Sequence, residues 1–135
     1  MDDLQNLQQF VSQTVEAKTM SDAAHGDVLV VGLGLALSVR AILDKPFVQS
    51  VTVLEINPDV ISLIEPTLKH RKVKIIQGDA FNWTPPKKAY DLVYFDIWQA
   101  VPNGDNRNQV KQLRSRHRSS LKKGGRTMAW CEDRL

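Results

Sequence analysis

The chain has 135 residues, of which 42% are apolar and 24% charged, and its formal net charge is +3 at pH 7. This length allows one domain with a hydrophobic core, and no apolar run reaches the roughly 18 residues that span a membrane. The opening residues MDDLQNLQQF are not typical of a secretory signal. The single cysteine, Cys131, leaves no intrachain disulfide, and these features together predict a cytoplasmic protein.

The first predicted element is an amphipathic helix over Asp2 to Lys18. Its apolar residues recur at three- and four-residue spacing and form one stripe, namely Leu4, Leu7, Phe10, Val11 and Val15. A polar connector, Thr19 to Gly26, follows this helix. We therefore divide the chain into residues 1–26, an amino-terminal helix and connector, and residues 27–135, one α/β domain.

A strand, a glycine turn, a helix and a second strand follow in residues 27–55. Val28 to Val31 form an apolar run rich in β-branched residues, which is typical of a parallel strand buried on both faces. Gly32 and Gly34 come next, and they allow a sharp turn that a ligand can approach closely. After a helix and a second apolar strand, Glu55 stands where an acidic residue binds ribose hydroxyls in nucleotide-binding βαβ units. The alternatives are a turn without a ligand and a glutamate that caps the next helix.

The remainder of the chain continues the alternation of helices and strands. Asn57-Pro58 is a helix start, because asparagine caps free amides and proline fits the first helical position. Pro66 is expected to end this helix, and Pro85-Pro86 to keep the next crossover short and irregular. Lys123-Gly124-Gly125 is predicted to stop the last helix. The three strands predicted in this part are Val73 to Ile76, Asp91 to Ile97 and Thr127 to Cys131.

Polar residues and glycines follow four of the predicted strands at their carboxyl ends. Strand and helix alternation implies a parallel sheet, in which the carboxyl ends share one edge and ligands bind beyond it. The residues that reach this edge are Gly32, Gly34, Glu55, Asp79 and Asp96. Their convergence predicts a ligand site there.

At these residues the chain resembles the class I S-adenosylmethionine (SAM) dependent methyltransferases, and within them the spermidine-synthase-like branch. The motifs that carry the resemblance are VLVVGLGLAL, VTVLEINPDVI, KIIQGDAF, YDLVYFDIW and LKKGG. The resemblance covers roughly Asp27 to the end. It implies a Rossmann-like, doubly wound parallel sheet of order 3-2-1-4-5, truncated before the usual final hairpin, with an amino-terminal helix in front.

The resemblance also implies roles for individual residues in binding SAM. The backbone at Gly32 and Gly34 would pass the methionine and ribose portions, and Glu55 would accept from the two ribose hydroxyls. Ile56 would lie against the adenine, Asp79 would accept from its amino group, and the Ala80 amide would donate to the ring. Asp96 would lie near the sulfonium and the substrate, as the catalytic residue.

Several positions depart from the family pattern. Val30 stands where many members have an acid, and Ala36 where many have a third glycine. Asp96-Ile-Trp98 followed by Glu132-Asp133 also resembles metal-dependent O-methyltransferases, but the asparagine of their magnesium site is missing. We therefore predict no metal. The methyl acceptor is not identifiable from the sequence.

Alternatives to a methyltransferase are a SAM-binding module without catalysis of its own and, third, a dinucleotide-binding Rossmann domain. The last is disfavoured because Leu37 stands where its third glycine belongs. A basic cluster fills the last third of the chain: Lys111, Arg114, Arg116, Arg118, Lys122, Lys123 and Arg126. It predicts a solvated helix face or, less favoured without interleaved aromatics, a nucleic-acid contact. We expect no membrane partner, and a homodimer built on the exposed edge of the fifth strand or on the adjoining helix.

Overall fold

The computed structural model describes residues 18–33, 36–96 and 104–129, with the side chains of 104–106 left out. The prediction of a polar connector over Thr19 to Gly26 is wrong, because residues 18–23 are helical and Met20 and Ala24 are buried in the core. The predicted helix over residues 2–17 lies outside the described residues. The strands are β1 Gly26–Val31, β2 Val48–Glu55, β3 Val73–Gln77, β4 Tyr90–Phe95 and β5 Leu121–Ala129. The helices are α1 Leu37–Ile42, α2 Pro58–Ile64 and α3 Gly104–His117, with 3-10 turns at Glu65–Thr67 and Arg118–Ser120.

All four strand pairs are parallel, and the sheet order is β3-β2-β1-β4-β5, which confirms the predicted order. β1 lies at the centre, where Val30 pairs with Val53 of β2 and with Tyr94 of β4. A strand in that position is covered on both faces, which explains the unbroken apolar run from Val28 to Val31. β3 and β5 are the edges of the sheet.

Two apolar layers cover the two faces of the sheet. Val28 and Val30 belong to one core cluster, which includes residues of α1, and Leu29 and Val31 belong to the other, which includes residues of α3. Alternate residues of a strand point to opposite faces, so consecutive β1 residues enter different layers. This is the doubly wound architecture. None of the helices among the described residues is long and apolar enough to cross a bilayer.

The helix signals around Asn57 and Pro66 are confirmed. The Asn57 side chain accepts a hydrogen bond of 2.9 Å from the Asp59 amide at the start of α2. The α-helix ends at Ile64, and the turn that follows contains Pro66. Between β3 and β4 the described chain contains no helix, in agreement with the irregular crossover predicted from Pro85-Pro86.

The prediction that Lys123-Gly124-Gly125 stops a helix is wrong. α3 already ends at His117, and both glycines lie within β5. The register steps from Tyr90 opposite Leu121 to Leu92 opposite Arg126, so the extra β5 residues form a bulge. Gly124 has φ 80, a conformation that favours glycine. The glycines therefore bend a strand, and β5 begins earlier than the predicted Thr127.

Candidate functional site

The chain segments at the ends of β1, β2, β3 and β4 are held together at the carboxyl edge of the sheet. Three backbone hydrogen bonds join them just beyond or at the strand ends: Gly32 N to Leu54 O (2.8 Å), Gly78 N to Glu55 O (2.9 Å) and Asp96 N to Val31 O (2.7 Å). The structure thus brings together the predicted residues at this edge. Gly34 lies outside the described residues.

The turn after β1 uses left-handed backbone at two positions. Gly32 has φ 101, which a residue with a Cβ adopts only under strain. Ala36 has φ 64 and ψ 25 immediately before α1, and its amide donates to Leu33 O at 2.7 Å. The left-handed conformation costs an L-residue about 1–2 kcal/mol. This conformation explains in physical terms why a glycine suits position 36, where this chain has alanine.

Glu55 ends β2 and connects two neighbouring segments. Its Oε1 accepts a hydrogen bond of 2.8 Å from the Leu33 amide in the glycine turn. Its Oε2 accepts one of 2.9 Å from the Asn57 amide at the start of α2. The residue is 9% exposed. The next residue, Ile56, is 61% exposed and presents an aliphatic surface beside it.

Asp79 follows β3 and organises the turn that it begins. Its Oδ1 accepts from the Phe81 amide and its Oδ2 from the Asn82 side chain, both at 3.0 Å. Its carbonyl oxygen accepts from the amides of Asn82 (2.9 Å) and Trp83 (2.7 Å). Ala80 is 6% exposed. The predicted adenine-binding residues therefore belong to a closed turn whose conformation Asp79 determines.

Asp96 follows β4 and is fixed by a residue that the sequence did not single out. Ser38, in α1 and 4% exposed, donates a hydrogen bond of 3.0 Å from its hydroxyl to Asp96 Oδ2. This contact joins positions 58 residues apart, so no local pattern indicates it. Ser38 thus orients the carboxylate that we predict to be catalytic. Residues 97–103, including Trp98, lie outside the described residues.

Three members of the basic cluster contact the domain itself. Arg114 donates to the Thr127 hydroxyl at 3.0 Å, and Arg116 donates to the carbonyl oxygens of Asn82 and Trp83. Lys122 lies near the amino-terminal ends of the strands, away from the candidate site, and pairs with two carboxylates. The other four are exposed: Lys111, Arg118, Lys123 and Arg126. Fewer of these basic side chains are therefore free to contact a polyanion than the sequence indicates.

A polar network crosses the amino-terminal edge of the sheet, away from the candidate site. Lys122 Nζ lies 2.6 Å from Asp27 Oδ2 and 3.3 Å from Asp91 Oδ2. Ser50 donates to Asp27 Oδ1 at 2.6 Å. The hydrogen bonds from Lys122 and then Ser50 lower the pKa of Asp27, and the bond to Asp27 raises the pKa of Lys122. This network ties β1, β2, β4 and β5 together.

Among the described side chains, no group of three or more His, Cys, Asp or Glu is arranged to hold a metal ion. Glu132-Asp133, the pair weighed for magnesium, and Cys131 lie outside the described part of the chain.

No protein-family model and no curated protein matches the chain. Solved structures do match it. A SAM-dependent methyltransferase from Leishmania major is 18% identical with a TM-score of 0.67, over 87% of this chain and 49% of that one. A SAM-dependent methyltransferase from Mesorhizobium loti is 14% identical with a TM-score of 0.66, over 86% and 51%. The PH0226 protein of Pyrococcus horikoshii is 26% identical with a TM-score of 0.66, over 86% and 51%.

These similarities establish the fold. The chain has the Rossmann-like architecture found in class I SAM-dependent methyltransferases, and its own parallel sheet has the order β3-β2-β1-β4-β5. It spans about half the length of the three structures described above, which match it over 49%, 51% and 51% of their chains.

Proposed function

We propose that this chain binds SAM at the carboxyl edge of its sheet and transfers the methyl group to an acceptor whose chemistry is not yet defined. One observation carries the proposal. A left-handed glycine turn and three carboxylates, Glu55, Asp79 and Asp96, follow β1, β2, β3 and β4 at the edge where ligands of such sheets bind. SAM itself would supply an electrophilic methyl group on a positively charged sulfur.

The hydrogen-bonding capacity of the carboxylates fits such a ligand. An ionised carboxylate accepts about four hydrogen bonds. Glu55 accepts two in this structure, from backbone amides of Leu33 and Asn57. Its remaining capacity matches the two hydroxyls of a ribose. These amides also hold the side chain in place before a ligand arrives, which limits the entropy lost on binding.

The adenine end of the proposed site combines an apolar and a polar contact. Ile56 is exposed next to Glu55, so a flat base would cover aliphatic surface that water now contacts. Asp79 accepts one hydrogen bond at each carboxylate oxygen and has capacity left for an exocyclic amino group. The Ala80 amide is assigned to the ring on the family resemblance.

Asp96 is the residue that we propose to act at the reacting end. The hydroxyl of Ser38 holds its Oδ2, and its backbone amide is bonded to Val31 O at the end of β1. A fixed carboxylate there would attract the sulfonium and accept a hydrogen bond from the methyl acceptor. The placement of Asp96 beside β1 supports this role.

The finer parts of the proposal rest on sequence motifs. We propose the spermidine-synthase-like branch from the motifs around Glu55, Asp79 and Asp96, and a cytoplasmic location from the single cysteine and the absence of long apolar runs. The same binding site would also serve a SAM-binding module without catalysis of its own, so binding and transfer need separate measurements.

The test is calorimetric titration of the purified chain with SAM, S-adenosylhomocysteine and NAD. We expect both sulfur nucleosides to bind and NAD not to bind. Glu55→Ala should abolish binding, whereas Glu65→Ala, at an exposed glutamate ten positions later in the chain, should retain it. NAD binding without S-adenosylhomocysteine binding would favour the dinucleotide-binding alternative, and no binding at all would overturn the proposal.

A separate measurement addresses transfer. SAM carrying a labelled methyl group is incubated with the chain and with candidate acceptors grouped as amines, hydroxyls and carboxylates. Asp96→Asn should bind SAM and fail to transfer the label. If the parent binds SAM but transfers no label beyond what Asp96→Asn transfers, the SAM-binding module is the better description.

A further inference from the structure

Two consecutive residues at the end of α3 bind the turn that follows β3. His117 Nε2 lies 3.2 Å from the carbonyl oxygen of Ala80. Arg116 donates from Nε to Trp83 O at 3.0 Å and from Nη2 to Asn82 O. Three carbonyl groups within residues 80–83 therefore face donors from one helix.

Burial fixes the His117 side chain in this arrangement. It is 0% exposed, its ring is edge-on to Phe95 with centroids 5.5 Å apart, and Trp83 lies on another side at 6.3 Å. Because a carbonyl oxygen only accepts, Nε2 must carry the proton when it bonds to Ala80. The ring therefore donates to Ala80 beside Phe95 of the second core cluster and Trp83, which packs against that cluster.

The turn is held from its other side by Asp79. The amides of Asn82 and Trp83 donate to Asp79 O, and the amide of Phe81 donates to Asp79 Oδ1. Backbone amides thus converge on Asp79, whereas three carbonyl groups of the same turn face α3. The position of the Asp79 carboxylate therefore depends on both sets of contacts.

We infer that Arg116 and His117 are positioning residues for adenine recognition: by holding the carbonyl groups of residues 80–83 from outside, they orient Asp79 and the Ala80 amide toward the base. The inference rests on the proposed function. It gives Arg116 a role within the domain in place of the polyanion contact that the sequence pattern indicates. Neither side chain is assigned a contact with the ligand.

The inference predicts a change in base specificity. S-adenosylhomocysteine has an exocyclic amino group, from which Asp79 is proposed to accept a hydrogen bond. S-inosylhomocysteine has an oxygen at the same position of the ring. The parent should prefer the adenine compound. In Arg116→Ala this preference should fall about tenfold, the order of effect of one charge-assisted hydrogen bond. Arg116 is exposed, so the variant is expected to fold.

Matched variants separate positioning from general damage. Arg118→Ala removes an exposed arginine two residues later and should leave the preference unchanged. Arg116→Lys keeps the charge but not the planar fork that reaches two carbonyl groups, so it should restore the preference only in part. His117→Leu removes the donor to Ala80, and His117→Gln returns an N–H; the preference should fall in the first and recover in the second.

The two proposals fail in different ways. If the parent does not bind S-adenosylhomocysteine, the proposed function fails and this inference with it. If the parent binds and prefers the adenine compound, but Arg116→Ala keeps the full preference, only the inference is overturned. Should His117→Leu not fold, the arginine variants alone decide, because their side chain lies at the surface.

Discussion

The Oε1 atom of Glu55 accepts a 2.8 Å hydrogen bond from the backbone amide of Leu33, which lies in the glycine turn after the central strand. The same carboxylate accepts from Asn57 at the start of α2. Glu55 therefore supports the start of α2, as one interpretation of its sequence position predicted, and its proposed role in binding a ribose would use the same carboxylate. Its two roles are linked, because the amides that hold the carboxylate also fix the backbone that the ligand would pass.

This linkage predicts two effects from Glu55→Gln. Glutamine has one acceptor oxygen and places an amide NH₂ opposite a backbone donor, so the free energy of unfolding of the empty protein should fall by about 1–3 kcal/mol. S-adenosylhomocysteine should also bind about tenfold or more weakly, because the charge and one acceptor are lost. Chemical denaturation and calorimetry measure the two effects.

A ribose analogue tells these effects apart. The parent should lose affinity for the 2′-deoxy form of S-adenosylhomocysteine, whereas Glu55→Gln should discriminate less between the two forms. Glu65→Gln, at an exposed position, serves as the control for both measurements. If Glu55→Gln is destabilised yet distinguishes the two forms of S-adenosylhomocysteine as well as the parent does, Glu55 has only a structural role.

Asp79→Asn should weaken S-adenosylhomocysteine binding while the protein stays folded. Asparagine retains an oxygen that can accept from the Phe81 amide, so the turn is preserved, but its charge is lost. We expect roughly tenfold weaker binding, the order of one charge-assisted hydrogen bond. Asn82→Ala, which removes the neighbouring side-chain contact to Asp79 Oδ2, is the control for loosening of the turn.

Local patterns were sufficient to predict most of the fold. The apolar run at Val28 to Val31 and the cap at Asn57 act within a few residues, so the central strand and the start of α2 were correctly predicted. The glycines at 124 and 125 were misinterpreted because a left-handed glycine suits both a helix end and a strand bulge. Only pairing with β4, a tertiary contact, distinguishes the two.

The candidate site was predicted only in part, because tertiary contacts leave no local pattern in the sequence. Carboxylates at strand ends are visible in the sequence, but their supports are not. Ser38 reaches Asp96 across 58 positions, and Arg116 reaches Trp83 across 33. Nothing in the spacing of these residues distinguishes a positioning side chain from a surface one. The basic cluster was therefore interpreted as a helix face or polyanion contact, although Arg116 and Lys122 bind groups of this chain.

We predict that the chain forms a homodimer through the β5 edge or the adjoining α3, and that salt strengthens it. Lys123 and Arg126 are exposed in β5, and like charges brought together at an edge repel one another until they are screened. Light scattering should show twice the mass of one chain at high salt. Arg126→Glu should change the salt concentration at which the dimer forms if β5 forms the contact, and Lys111→Glu should change it if α3 does. A monomer under all conditions would exclude both.

Asp27 should contribute to stability at neutral pH and lose that contribution in acid. Hydrogen bonds from Lys122 and Ser50 lower its pKa below the ordinary value of 3.8, so the unfolded chain binds the proton more readily. The contribution is therefore present above pH 3.8 and disappears as the pH falls through the lowered value. Asp27→Asn should be less stable than the parent at pH 7, and this difference should shrink as the pH falls below 3.8. Asp44→Asn, at an exposed position, should show no such change.

His117 predicts a second pH dependence at milder pH. Burial lowers its pKa from 6.5, opposed by the hydrogen bond to Ala80 and assisted by the charge of Arg116. Between the lowered pKa and 6.5, the unfolded chain binds more protons than the folded one, so the free energy of unfolding rises with pH. The slope is up to about 1.4 kcal/mol per pH unit, and the rise levels off above pH 6.5. Urea denaturation from pH 5 to 8 measures this slope. His117→Gln cannot titrate and should flatten it, while His25→Gln, at an exposed histidine, should not. An unchanged slope in His117→Gln would show that other groups cause the pH dependence.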